Sequence, residues 1–242
     1  MVGIRRALAL LILSLYFWQF LLTALLGPEE LFAAFVGLSA CYGVAFIGVA
    51  AEWFWARWFA MGVGNFGSLF LLTLLQVGFE PSIAILGFSH LAVTLLLAGE
   101  GMAARYERSE AAAERWNFQE ESLTQLRRAV KSAGMSLPLL ILYTLAPKPE
   151  LLEIGALGLG VAGLAGLVRG RTWSLFALGG AGMIALLDGL GVFGAPAIGC
   201  MLITPNGSLA LSGPIFALLA STLLVVPLLF ARPIVRFLRQ PG

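Results

Sequence analysis

Charged residues are scarce in this 242-residue chain. Only 12% of its residues are Asp, Glu, Lys or Arg, whereas 60% are hydrophobic. A soluble domain carries about 25% charged residues, so this composition excludes an ordinary soluble globular domain. The predicted fold class is all-α, a polytopic transmembrane helix bundle that uses residues 1–242 as one transmembrane domain. Its expected surroundings are the lipid bilayer, and no nucleic-acid partner is expected.

Histidine and cysteine are equally rare, with one and two copies. They are too few for a structural zinc site with four protein ligands, and a bis-histidine haem cannot form within one chain. Cys41 and Cys200 are predicted at depths too different for the Cα separation of about 4.4–6.8 Å that a disulfide needs. The sequence around His90 lacks the G-x-S-x-G nucleophile elbow. We therefore predict no metal, no cofactor and no catalytic residue, and an enzyme is the less favoured class.

What the chain does have is a series of long apolar runs. A helix needs about 20 apolar residues to cross a hydrocarbon core of about 30 Å. The first run is too long for the apolar part of a signal peptide, which has about 7–15 residues, and is expected to be a retained span. Eight spans are predicted, at residues 6–27, 31–52, 57–78, 81–99, 132–147, 150–168, 172–192 and 212–231.

The basic residues divide unequally between the two sides of this predicted bundle. Fourteen of the fifteen Lys and Arg residues fall on the side of the N-terminus, and only Lys148 falls on the other. Basic residues are retained on the cytoplasmic side of a membrane. The pattern predicts a multi-pass protein of the plasma (inner) membrane with both termini in the cytoplasm.

Two connections are longer than the rest. Residues 100–131 are predicted as a cytoplasmic helical loop, with one helical extension leaving the fourth span and one entering the fifth, so that Pro138 lies inside a continuous helix. Residues 193–211 form the predicted outer loop, whose apolar sequence favours folding back onto the bundle. Segments 100–131 and 194–212 are the candidate contacts for membrane-protein partners, although a solvated connector is the favoured interpretation of 100–131, and a homo-oligomer is left open.

Polar residues at membrane depth are the candidates for binding, because each of them costs free energy in hydrocarbon. Gln19, His90 and Asp188 fall at depths that would let them line one cavity opening outward, and are the predicted substrate-binding residues. The favoured alternatives are structural: a hydrogen bond between helices for His90, and the interfacial end of the seventh span for Asp188. The outer face is also acidic, with a formal charge of −5. An acidic mouth would concentrate cations, although translocated loops also carry acids more readily than bases.

Glycines recur on several predicted spans. Gly62, Gly64 and Gly67 spell G-x-G-x-x-G, but the motif lies in a membrane helix without the preceding strand that dinucleotide binding needs. Small residues let membrane helices approach closely. The predicted helix-packing glycines are Gly62, Gly64, Gly67, Gly158, Gly160, Gly163 and Gly179.

An offset of 117 residues places Gly43-Val44-Ala45 on Gly160-Val161-Ala162 and the first three spans on the fifth to seventh. This similarity suggests an internal duplication with parallel halves, because each half would hold four spans. Short matches of this kind also arise by chance in apolar sequence, so the duplication remains one of two interpretations.

Three functions fit the sequence. The first is a small-solute or cation transporter or a channel-like bundle, which rests on the acidic outer face and the polar residues at depth. The second, of equal weight, is a non-catalytic structural or scaffold subunit of a larger membrane complex, because few polar groups are buried. The third is a lipid-directed membrane enzyme that would use His90 with a carboxylate.

Overall fold

Helices dominate the computed structural model, which describes residues 2–107, 120–145, 151–169, 171–193, 200–204, 207–211 and 213–229. The first half of the chain contains α1 (Val2–Leu26), a 3-10 turn (Glu29–Leu31), α2 (Phe32–Ala50), α3 (Ala56–Ser68), a second 3-10 segment (Leu69–Thr73), α4 (Leu74–Val77), α5 (Pro81–Leu97) and α6 (Glu100–Glu107).

The second half contains α7 (Glu120–Leu145), α8 (Leu151–Leu167), α9 (Trp173–Gly189), the strands β1 (Cys200–Thr204) and β2 (Gly207–Leu211), and α10 (Gly213–Leu229). The two strands pair antiparallel, from Cys200 opposite Leu211 to Thr204 opposite Gly207. The fold is therefore helical apart from one short hairpin among the described residues.

Each half closes a ring of four helices. In the first half α1 and α3 both pack against α2 and α5, and in the second half α7 and α9 both pack against α8 and α10. The two rings join where α7 packs against α3 and α2. The buried apolar core runs through both rings without a break.

The arrangement of the helices supports an internal duplication. The 117-residue offset places the start of α3, Ala56, on the start of α9, Trp173, and the same pattern of helix contacts closes both rings. The offset does not place α5 on α10, because the β1–β2 hairpin lies before α10. The shared ring pattern is the stronger sign of a repeat, since it does not depend on apolar sequence matches.

Within the described part of the chain, three helical segments are long and apolar enough to cross a membrane: Val2–Leu26, Glu29–Ala50 and Ala56–Val77. A fourth is present if α5 and α6 count as one span, although they are bent by 70° at Ala98 and Gly99. This number is smaller than the eight predicted spans, and three of the remaining helices, α8, α9 and α10, have 17 described residues each. At 1.5 Å per residue they measure about 25 Å, at the short end for a span.

The connection between the halves is helical on both sides of residues 108–119, which lie outside the described part. Helix α6 follows α5, and α7 begins well before the apolar stretch at residue 132 and continues through Pro138 without interruption. In the region predicted as the outer loop, the chain forms the β1–β2 hairpin, and β2 lies against α4 of the first half. The predicted partner segments 100–131 and 194–212 both include undescribed residues.

Arginines at the start of α1 close the C-terminal ends of two neighbouring helices. The Arg5 guanidinium donates to the carbonyls of Leu95 and Ala98 at 2.8 and 2.6 Å, at the C-terminal end of α5. Arg6 donates to the carbonyl of Ala50 at 2.6 Å, at the end of α2. The last carbonyls of a helix have no partner within the helix, and cations are favourable there. These contacts fix the N-terminus of α1 beside the ends of α2 and α5.

Candidate functional site

The histidine of the chain is buried inside the first ring. His90 lies on α5 with only 1% of its surface exposed. Its Nδ1 lies 2.7 Å from the carbonyl oxygen of Leu86, one turn earlier, and must be the donor because a carbonyl only accepts. In the neutral ring Nε2 is then an acceptor, and the Tyr42 hydroxyl of α2 donates to it. Both ring nitrogens are therefore occupied.

A second tyrosine covers the face of this ring. The Tyr16 ring of α1 lies 4.2 Å from the His90 ring, centroid to centroid. Its hydroxyl lies 2.6 Å from Ser89 Oγ, which is also 2.9 Å from the Leu86 carbonyl. The sequence did not indicate a role for Tyr16, Tyr42 or Ser89, because each contributes a single hydroxyl group within an apolar run. Together these groups form a satisfied polar cluster that ties α1, α2 and α5 together.

The three residues predicted to line one cavity lie in different places. Gln19 is on the exposed face of α1. Asp188 is half-buried near the end of α9, in the second ring, and accepts a hydrogen bond from the Tyr143 hydroxyl of α7. His90 is enclosed in the first ring. No hydrogen bond found among the described residues joins any two of them, so their predicted role in one binding site stays a prediction.

Glycines set the spacing of α3 against its neighbours. A Cβ at Gly62 would lie 2.3 Å from the Lys131 carbonyl oxygen of α7. At Gly64 it would lie 2.8 Å from the His90 carbonyl oxygen of α5, and at Gly67 2.1 Å from the His90 ring. Real Cβ atoms do not approach that closely, so α3 can pack on α5 and α7 only because these positions carry no side chain.

The glycines of the second half differ in how closely neighbouring atoms approach them. A Cβ at Gly163 would lie 2.8 Å from Leu178, and one at Gly179 would lie 2.5 Å from Leu228. Gly160 is less tight, with its nearest neighbour, Leu140 Cδ2, at 3.3 Å. Gly158 differs from the rest, because no atom of the described residues lies within 4 Å of its added Cβ.

A buried carboxylate joins three elements at the cytoplasmic end predicted from the sequence. The Glu107 side chain of α6 is only 2% exposed and accepts hydrogen bonds from Arg57 and Trp58 of α3 and from Arg127 of α7. Arg57, 6% exposed, also donates to the Leu97 carbonyl at 2.9 Å. Burial, together with the charge of Arg57, lowers the pKa of Lys131 nearby. Sequence reasoning treated Arg57 and Glu107 as loop charges and missed this cluster, since their positions are 50 residues apart.

A second acidic residue lies at the same end but at the surface. Glu52 follows α2 with a left-handed φ of +56°, which is uncommon for a residue other than glycine. Its Oε1 lies 2.6 Å from both Arg6 and Arg105. The hydrogen bonds from Arg105 lower the pKa of this carboxyl, and the charge of Arg6 acts in the same direction.

An open groove of about 1080 Å³ lies between the two rings, bounded by α2, the Trp53–Trp55 turn, α7 and α8. Most of its walls are apolar and lie at membrane depth by the sequence prediction. These wall residues include Ala40, Cys41 and Val44 of α2, Leu137 and Ile141 of α7, and Leu157, Val161 and Leu164 of α8. Cys41 is a buried free thiol.

The end of this groove that is predicted to face the cytoplasm, its inner end, has a different character. It is lined by Glu52, by Trp53 and Trp55, and by Arg169 and Arg171, which follow α8. Both arginines are exposed, and among the described residues neither forms an ion pair. The groove therefore combines apolar walls with a polar, aromatic and basic end.

In the described part of the chain, no three His, Cys, Asp or Glu side chains come together in a metal-binding group. No protein-family model, curated protein or solved structure matches this chain.

Proposed function

We propose that this chain is a multi-pass protein of the plasma (inner) membrane with eight crossings and both termini in the cytoplasm. The one-sided distribution of Lys and Arg supports this orientation. The matching helix rings support the number of crossings, because a second half built like the first would cross the bilayer in the same way. Helices of 17 residues lie at the lower limit of spanning length.

Single cysteines test this topology in a chain whose Cys41 and Cys200 have been replaced. A membrane-impermeant maleimide added to intact spheroplasts should label Glu29→Cys, on the predicted outer side. It should label Thr172→Cys only after the membrane has been permeabilised. Labelling of Thr172→Cys in intact spheroplasts would refute the eight-span orientation, because that turn would then face outward.

We further propose that the protein binds an amphiphilic molecule in the groove between its rings. The observation that carries this proposal is the pairing of apolar walls with a basic and aromatic end in one open groove. Its volume of about 1080 Å³ is slightly above the range of about 300–1,000 Å³ for ligand pockets. An amphiphile would bury its apolar part against α2, α7 and α8 and leave its polar part at the membrane surface.

The small-solute or cation pathway has less support. That hypothesis needs Gln19, His90 and Asp188 around one cavity, yet Gln19 is exposed on α1 and the other two lie in separate rings. The lipid-directed enzyme would need His90 beside a carboxylate. Tyr42 and Leu86 occupy the two nitrogens of His90, whereas Asp188 is hydrogen-bonded to Tyr143.

A non-catalytic subunit of a larger membrane complex is the second candidate. The satisfied polar cluster around His90 favours it, because the most deeply buried polar groups of the first ring act as structural links between helices. In that case the groove would hold a helix of another subunit in place of a small amphiphile.

Native mass spectrometry separates the two candidates. The tagged full-length chain would be purified from its native membrane in a mild detergent and weighed intact. A retained adduct with the mass of a membrane amphiphile, lost when Val161→Trp narrows the groove, is the expected result. Ile47→Trp, at an exposed position on α2 outside the groove, is the matched control and should keep the adduct. Foreign polypeptides at fixed stoichiometry, with no such adduct, would instead establish the subunit role.

A further inference from the structure

We infer that the amphiphile in this groove is an anionic phospholipid of the inner leaflet, with its phosphate held by Arg169 and Arg171. The inference rests on the proposed amphiphile binding and adds the chemical class of the ligand.

The charge at this end is positive once the ion pairs are taken into account. Glu52 is the acid among the described residues that line the groove. Its carboxylate is already held by Arg6 and Arg105, each at 2.6 Å. Two cations therefore offset Glu52, while Arg169 and Arg171 have no acidic partner among the described residues. A guanidinium presents a planar set of donors that fits two phosphate oxygens, which makes phosphate a suitable ligand for this end.

The aromatic residues place this end at the level of lipid headgroups. The rings of Trp53 and Trp55 lie 5.5 Å apart, centroid to centroid, on the same rim as the arginines. Tryptophan is enriched at membrane–water interfaces because its ring is amphipathic. A phosphate bound to Arg169 and Arg171 would therefore lie at the depth where phospholipid phosphates already are.

The apolar part of the groove is about one leaflet deep. From Leu157 to Arg169 the wall follows α8 and the turn after it for twelve residues, which at 1.5 Å per residue is about 18 Å. Half of a hydrocarbon core of about 30 Å is about 15 Å. The groove thus matches an acyl chain that runs from the inner surface toward the middle of the bilayer. A soluble phosphate compound would leave these apolar walls unused.

The test measures which lipids the full-length chain retains. The protein would be exchanged into mixed micelles holding equal amounts of phosphatidylglycerol and phosphatidylethanolamine, and bound lipid would be counted by native mass spectrometry. The wild-type chain should retain phosphatidylglycerol in preference. Neutralising one arginine, as in Arg169→Gln or Arg171→Gln, should weaken that preference about five-fold, which corresponds to about 1 kcal/mol per basic residue near a membrane surface. The double variant should lose it about thirty-fold.

Two controls separate specific binding from a general effect of positive charge. Arg128→Gln removes the same charge from an exposed position of α7 that does not line the groove, and it should leave the preference unchanged. An excess of inorganic phosphate should not displace the lipid, because the acyl chain contributes to binding. Displacement by phosphate alone would show that the arginines bind a soluble anion and would overturn the inference.

The failure of this inference can be distinguished from that of the proposed function. If the wild-type chain retains both lipids equally and Val161→Trp abolishes both, the groove binds amphiphiles but does not select anionic headgroups. If Arg128→Gln has the same effect as Arg169→Gln, the preference comes from overall charge and the assignment of the phosphate is wrong. If Val161→Trp changes nothing, or the wild-type chain retains no lipid, the proposed amphiphile binding itself is refuted.

Discussion

Replacing Gly67 with alanine should destabilise the protein strongly, because the His90 ring occupies the space that the new methyl group needs. The added Cβ would lie 2.1 Å from both Cγ and Cδ2 of His90 and 2.6 Å from Nδ1. Ordinary carbon contacts are about 3.5–4.0 Å. Helix α3 or α5 would have to move by more than 1 Å, or the ring would have to leave its two hydrogen bonds. Overpacking of this kind costs about 1–3 kcal/mol, and we expect a value at the upper end.

The cost should depend on the presence of the ring. His90→Ala alone leaves the Tyr42 hydroxyl without its buried partner, which costs about 1–3 kcal/mol. In the His90→Ala background, however, Gly67→Ala should cost less than about 1 kcal/mol, because the three nearest atoms to its Cβ all belong to the removed ring. The difference between the two costs, about 2 kcal/mol, is the coupling that a double-mutant cycle measures.

Reversible unfolding of the purified protein by SDS titration would give these free energies. Gly158→Ala is the matched control, because it makes the same substitution on an apolar helix where nothing lies within 4 Å of the new Cβ. It should leave stability unchanged or raise it by less than about 1 kcal/mol. Two results would refute the clash with His90: a loss in the free energy of unfolding for Gly67→Ala as small as that for Gly158→Ala, or an equal loss when His90 is alanine.

Two further predictions concern the carboxylates of Glu107 and Glu52. Glu107→Gln should lower the free energy of unfolding by about 3–5 kcal/mol, because it leaves the buried Arg57 without a counter-charge. In the same SDS titration Glu52→Gln should lower it by no more than about 1 kcal/mol, because the ion pairs of Glu52 are exposed. Equal losses in the two variants would contradict the difference in burial. The hydrogen bonds from Arg105 lower the pKa of Glu52 below its usual 4.5, so the stabilisation from this carboxylate is complete above about pH 4.5 and is lost as the pH falls through the lowered pKa. The difference in unfolding temperature between the wild-type chain and Glu52→Gln should therefore be constant from pH 7 to about pH 5 and shrink below, and a difference that grows on acidification would refute this assignment.

Periodicity and composition were enough to predict the helical elements. Long apolar runs favour membrane helices, because a helix forms all the hydrogen bonds of its backbone groups within the segment. The continuous helix through Pro138 followed from the polar residues before it, and the structure confirms it. The bounds of α8 and α9 agree with the predicted spans at 150–168 and 172–192 to within three residues. The β1–β2 hairpin was missed, because an apolar stretch with two prolines and several glycines gives no alternation that would indicate strands.

The candidate sites were less predictable than the helices, because they depend on pairs of residues distant in the chain. Depth along a helix can be counted from the sequence, and it placed Gln19, His90 and Asp188 at comparable levels. Depth does not give the direction in which a side chain points around the helix axis. For this reason the sequence did not indicate that Gln19 faces outward while His90 is enclosed. The partners Tyr42 and Glu107 lie 48 and 50 residues from the groups they bind. No local pattern could have indicated them.

Hydropathy and charge act on each segment separately, and they were therefore sufficient to predict a helical protein with apolar segments suited to a membrane. The packing of the helices then set which faces of those segments meet. It closed two rings of four helices, placed Gly67 under the ring of His90, buried Glu107 between two arginines, and left a groove between the rings that ends at Arg169 and Arg171. The physical reason is that packing and ion pairing depend on the distances between elements, and those distances exist only once the elements have come together.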